Sequence, residues 1–228
     1  LEDYVDYVIE MIHALGGNIH VVAVCQPSVP VLAAVSIMEA ENDPYFPTSM
    51  TLMGGPIDTR RNPTGVNDLA EQKGIDWFRN NVITKVPFPQ PGFMRDVYPG
   101  FLQLTGFVSM NLDRHVDAHK NLFSNLVKGD GDLVDKHVEF YDEYLAVMDL
   151  SAEFYLQTVR TVFQGHDLPL GRMTTRWQKI DPGCITRTAI LCVEGELDDI
   201  SGIGQTKAAL DLAENLAPER KEYHLQLG

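Results

Sequence analysis

The sequence predicts an α/β protein: a mostly parallel, doubly wound sheet interrupted by a long helical insertion. Three observations carry that prediction. Short apolar runs rich in β-branched residues, at 19–24, 49–53 and 188–193, each stop at a turn; this is the pattern of parallel strands buried on both faces. Helical periodicity separates the runs, so strand and helix alternate. From about 86 to 182 the alternation ceases and helical patterns follow one another without a convincing strand. The simplest organisation is a core at 1–85, an inserted helical cap at 86–182 and the rest of the core at 183–228.

The elements justify themselves in order. Residues 1–15 place Val5, Val8, Ile9, Ile12 and Leu15 at helical spacing, and Gly16-Gly17-Asn18 ends the helix. The strand at 19–24 belongs in the sheet interior. Residues 29–40 return to helix, with Pro30 tolerable in the first turn. The strand at 49–53 is closed by Gly54-Gly55-Pro56, and the one at 188–193 by Glu194-Gly195. A helix is expected at 204–216 and a last, alternating strand at 222–227. Inside the insertion, VPFPQPGFMRDVYPGFLQLTGF is dense in proline and aromatics, and helical patterns cover 110–126 and 139–163.

Composition narrows the function. The chain has 228 residues, 44% hydrophobic and 22% charged, which suits one globular domain with a full core. Its formal charge of −14 argues against nucleic acid as a partner, because phosphate contacts need clustered Lys and Arg. Three cysteines, Cys25, Cys184 and Cys192, are odd in number and lack CxxC spacing, so neither a disulfide framework nor structural zinc is expected. A reducing cytoplasm is the expected compartment. No apolar run approaches the length of a membrane span, and no signal peptide precedes the first helix. The chain opens at Leu1, without methionine and already inside a helical pattern, as a fragment of a longer protein would.

The chemistry concentrates at VVAVCQPSVP, residues 21–30. An apolar strand stops at Cys25, two prolines follow, and an alanine-rich helix begins. A nucleophile elbow needs this order: strand, sharp turn with the nucleophile at its apex, then helix. The residues two before and two after must be compact, and here they are Ala23 and Pro27. Proline replaces the glycine of the G-x-S-x-G pattern, although its fixed φ suits a helix entry. The helix N-terminus favours a thiolate, and the backbone N–H of Gln26 is the candidate oxyanion donor. The alternative for Cys25 is a small buried core residue.

A carboxylate to orient an imidazole is expected on the loop after the strand at 188–193, in EGELDD. Asp198, just past the glycine turn, ranks ahead of Asp199; a solvated acidic loop or a helix cap is the alternative for both. The base should be a histidine after the final strand, and the seven histidines fill that role poorly: His224 lies within the strand. His115 and His119 share a helix face but lack a third metal ligand. DGDLVD, residues 130–135, lacks the later glycine and closing glutamate of a calcium loop and reads as a turn. No metal and no cofactor are expected.

Four blocks carry a resemblance: VCQPSVP, LMGGPIDTRRNPTGVN (52–67), EFYDEYLAVMDLSAEFYLQTV (139–159) and VEGELDDISGIGQT (193–206). Together they resemble the intracellular poly(3-hydroxybutyrate) depolymerases, polyhydroxyalkanoate depolymerases related to the polyhydroxyalkanoate synthases, over the whole chain. The resemblance implies an α/β-hydrolase fold with a Cys–Asp–His triad cleaving stored polyester in the cytoplasm, at the surface of storage granules. The nucleophile falls on Cys25 and the acid on Asp198. The family's histidine would lie a few residues past Gly228, and its N-terminal strands before Leu1. The polymer is the implied partner; oligomeric state is not legible. Phe88, Phe93, Tyr98, Phe101, Phe107 and Phe163 could give an apolar approach for polymer, or form the insertion's own core. A synthase-like acyltransferase using the same thiolate is the first alternative, and Pro27, where synthases usually have glycine, argues against it. A non-catalytic granule-surface protein is the second, and it would need neither Cys25 nor Asp198.

Overall fold

Four strands form a parallel sheet: β1 (His20–Val24), β2 (Ser49–Met53), β3 (Ala189–Gly195) and β4 (Lys221–Gln226), side by side in that order. The register sets Ala23, Leu52, Cys192 and Tyr223 in one row across the sheet. The first three of these are buried, as are Met50 and Ile190 in the row before, so one face is core. The opposite face carries Val22, Thr51, Leu191 and Glu222 in register, and Val22 and Val24 are 63% and 60% exposed. This corrects the expectation that residues 19–24 lie in the sheet interior: β1 is an edge strand with one covered face. Its β-branched residues occupy both registers, which the sequence cannot distinguish from burial on both sides.

The computed structural model describes residues 1–176 and 178–228, in two compact units: Leu1–Ile75 with Gln157–Gly228, and Asp76–Leu156. In the first unit α2 (Ser28–Ala40) packs on β1, α1 (Glu2–Leu15) packs on α2, and α3 (Gly65–Gln72) follows β2. Every residue of α2 from Ser28 to Glu39 is buried. A helix apolar all round must be enclosed all round, and burying each large side chain such as Leu32 or Met38 contributes about 1.5–3 kcal/mol. At its end Glu39 accepts from the N–H groups of Thr186 (2.9 Å), Arg187 (3.0 Å) and Thr188 (2.7 Å), tying α2 to the entry of β3.

The second unit holds most of α4 (Ile75–Asn81) together with α5 (Gly100–Met110), α6 (Leu112–Lys128) and α7 (Gly131–Leu145). It also contains a small antiparallel sheet of Thr84–Lys85, Asp96–Tyr98 and Leu150–Ser151. The last of these breaks the helix expected over 139–163: α7 stops at Leu145, the strand pairs with Val97 and Tyr98, and α8 (Ala152–Thr158) begins anew before a π-helical turn, Val159–Gln164. The approach there is close: a Cβ on Gly100 would stand 2.2 Å from the Val147 carbonyl oxygen. DGDLVD, expected as a turn, is instead the start of α7: Asp130 caps the helix by accepting from the Leu133 N–H at 3.2 Å. Phe88, Phe93, Phe101 and Phe107 are exposed, whereas Phe163 is buried and belongs to the first unit.

After β3 the helix expected at 204–216 is shortened to α9 (Ala208–Leu212). The N–H groups of Gly204, Thr206 and Lys207 are already held by the Glu194 carboxylate, so this stretch is a turn and the helix starts later.

Candidate active site

Cys25 is the first residue after β1. Its N–H donates to the Met53 carbonyl at 2.7 Å, extending the β1–β2 pairing by one bond. The chain then reverses. Cys25 has φ +66°, a left-handed conformation that costs a non-glycine residue about 1–2 kcal/mol. Ser28 N–H donates back to the Cys25 carbonyl at 3.0 Å and Val29 N–H to Gln26 at 3.1 Å, so α2 begins within three residues. Pro27, at φ −53°, is already helical. Strain at one residue, held by bonds on both sides, is the expected signature of an elbow.

Gly55 and Ser28 make the close approach on which this turn depends, and the sequence reading missed both. A Cβ on Gly55 would lie 2.3 Å from Ser28 Cβ and Oγ, and 3.2 Å from the Cys25 carbonyl oxygen. The available signal was Gly54-Gly55-Pro56, which reads from sequence only as the end of a strand.

Asp198 lies on the loop after β3. Its N–H donates to Gly195 at 3.3 Å, and its Oδ1 accepts from the N–H groups of Ile200 (2.9 Å) and Ser201 (3.0 Å). The other oxygen lies over the end of β2: a Cβ on Gly54, itself at φ +55°, would be 3.3 Å from Oδ2. Three adjacent strands therefore deliver Cys25, Gly54-Gly55 and Asp198 to one edge of the sheet, the carboxyl edge where open α/β sheets gather their sites.

Electrostatics link the two side chains. The Cys25 thiol is pushed up from its ordinary range, first by burial and then by the negative charge of Asp198; the Gln26 N–H, bonded to the sulfur, opposes them. The Gln26 N–H does not outweigh burial, so the thiol is protonated at neutral pH unless a base acts on it.

Among the described residues no imidazole bonds to Cys25 or Asp198. His13 pairs with Asp43, His20 with Ser49, His166 with Thr59 and His224 with Gln226. His115, His119 and His137 cluster with Tyr141 on α6 and α7. Among the described residues no group of three or more His, Cys, Asp or Glu side chains is placed to hold a metal ion.

The model of the PHB de-polymerase C-terminus family matches residues 54–228. That stretch includes Gly54, Gly55 and Asp198 and begins after the elbow. A comparison with curated proteins returns no match. Among solved structures the chain is similar to lip1, a candidate lipase from Acinetobacter baumannii AYE, at 12% identity and a TM-score of 0.40, over 97% of this chain and 59% of that one. The chain thus spans about three fifths of that structure's length.

Proposed function

The chain belongs to the PHB de-polymerase C-terminus family, and from that premise we propose that it is the main part of a hydrolase for poly(3-hydroxybutyrate) that works through Cys25. The observation that carries the reading is the strained turn: Cys25 at φ +66° between β1 and α2, beside the Asp198 carboxylate. A histidine on the segment following β4 removes the thiol proton, with Asp198 Oδ2 left to hold the other imidazole nitrogen. That position suits it, because β4 runs parallel beside β3 and its last residues meet the Asp198 loop: Glu196 N–H donates to Gln226 at 2.9 Å.

The sulfur then attacks an ester carbonyl carbon while the Gln26 N–H supports the developing oxyanion. The C–O bond breaks, and the leaving alkoxide takes its proton from the imidazolium. Water, deprotonated by the same imidazole, attacks the thioester, releases a 3-hydroxyacyl acid and restores the thiol.

The substrate is apolar, and the inserted unit offers apolar surface: Phe88, Phe101 and Phe123 are 79%, 67% and 69% exposed. Among the described residues no helix is long and apolar enough to cross a membrane. The enzyme acts at the surface of cytoplasmic storage granules in this reading.

The test is release of 3-hydroxybutyrate oligomers from amorphous polymer by the full-length protein. Cys25→Ala abolishes release, and Asp198→Asn lowers turnover by about 10⁴-fold, the cost of losing imidazole orientation. Asp199→Asn leaves release near wild type. Release by the Cys25→Ala variant, or the reverse order of the two aspartates, would overturn the assignment.

A further inference from the structure

The loop that carries Asp198 is fastened by polar groups buried behind the site. Glu194, on β3 and 2% exposed, accepts from the N–H groups of Gly204 (2.8 Å), Thr206 (2.8 Å) and Lys207 (2.9 Å) and from the Tyr223 hydroxyl (2.8 Å). Four donors on one carboxylate fix the far end of the loop as firmly as a strand pairing would. Thr206, fully buried, then reaches across to β2. Its hydroxyl accepts the Gly55 N–H at 2.7 Å and donates to the Gly55 carbonyl at 3.0 Å. A single side chain thus bonds both backbone groups of the residue that presses on Ser28 and Cys25, the carbonyl also accepting the Ile57 N–H at 2.9 Å. The preceding residue, Gly54, lies under Asp198 Oδ2.

Gly54-Gly55 is therefore a two-residue spacer touching both the thiol turn and the carboxylate. We propose that Thr206 is a positioning residue for the Cys25–Asp198 pair, with Glu194 holding Thr206 in place. The inference rests on the reading of that pair as the site. A valine at 206 would fill the same volume but leave the Gly55 N–H unpaired away from water and its carbonyl held by the Ile57 N–H alone, so the peptide would tilt to find another partner. A displacement on the order of 1 Å between reacting groups costs about 10²-fold in turnover.

The test uses Thr206→Val, Thr206→Ser and Glu194→Gln in the full-length protein, each shown folded by its thermal melt. The first readout is alkylation of Cys25 by iodoacetamide as a function of pH, followed on the Cys25 peptide by mass spectrometry, with and without Asp198→Asn. Asp198→Asn displaces the wild-type profile along the pH axis. Thr206→Val shrinks that displacement, Glu194→Gln shrinks it in part, and Thr206→Ser, which keeps the hydroxyl, restores it. The second readout is turnover of a short soluble ester: Thr206→Val lowers kcat by about 10²-fold with KM little changed, and Thr206→Ser returns it to near wild type.

A folded Thr206→Val protein with the full Asp198-dependent displacement and wild-type kcat overturns the proposal. Should Thr206→Val not fold, a wild-type profile in Glu194→Gln overturns it instead. If the protein hydrolyses no ester, the functional reading fails while the alkylation profiles still decide the positioning role.

Discussion

At Cys25 two effects compete, and their order sets the chemistry. The Gln26 N–H favours the thiolate, while burial and the Asp198 charge favour the thiol and prevail. Because the thiol pKa is raised, Cys25 in the 228-residue chain reacts with iodoacetamide more slowly than a free cysteine at pH 7, and its rate climbs at higher pH than theirs. Asp198→Asn removes a negative neighbour, so it lowers the thiol pKa and speeds alkylation at pH 8; an unchanged rate would mean the two side chains do not sense each other. The Gly55 contact sets a second expectation. With Ser28 at 2.3 Å from any added Cβ, Gly55→Ala forces the elbow apart and costs about 1–3 kcal/mol in urea unfolding, as overpacking does. A fully stable variant would show that the turn has slack. The placement of Cys25 at a strand-to-helix turn and of Asp198 on the loop after β3 was legible because strand, turn and helix each leave a local mark. Glu194, Thr206 and Gly55 were not, because their roles depend on three strands meeting, and no periodicity records which loops a register brings together.

Among the elements, α2 is the one most completely specified. Its apolar sequence says that it is enclosed, and it is buried from Ser28 to Glu39. Strand positions were equally legible: the run expected at 49–53 is β2, residue for residue. The limits of the reading show at β1, where Val22 and Val24 look like core and stand exposed, and at α9, whose expected first turn is pre-empted by Glu194. Hydrophobicity reports which residues could be buried; the partners present decide which are. The α2–β3 junction makes a pH prediction. Burial alone would raise the Glu39 pKa, but the N–H groups of Thr186, Thr188 and Arg187 outweigh it and hold the pKa below its usual 4.5. A depressed carboxylate contributes stability that is fully present above the unfolded-state pKa and is lost as pH falls through the folded-state value. Stability should therefore fall below about pH 4.5 more steeply in wild type than in Glu39→Gln, measured by urea unfolding across that range. Parallel curves for the two proteins would count against this role.

Across the whole molecule, the two units differ in how much they bury. The sheet unit encloses α2, whereas α6 and α7 contain no buried residue. Helices without buried contacts open readily, so amide exchange should be fast throughout 112–145 and slow in α2; equal protection would contradict the difference. The exposed aromatics of the inserted unit lead to a related expectation under the proposed function. Phe88→Ser with Phe101→Ser should weaken adsorption to amorphous polymer while leaving turnover of a short soluble ester intact. Everything proposed about catalysis converges on one sulfur atom, and one measurement addresses it directly. The full-length protein is mixed briefly with amorphous poly(3-hydroxybutyrate), quenched in acid and digested, and its peptides are weighed by mass spectrometry. The expected result is 3-hydroxybutyryl adducts on the peptide containing Cys25, removed by hydroxylamine as thioesters are. Polymer cleavage with Cys25 unmodified, and the acyl group found on another residue, would contradict it.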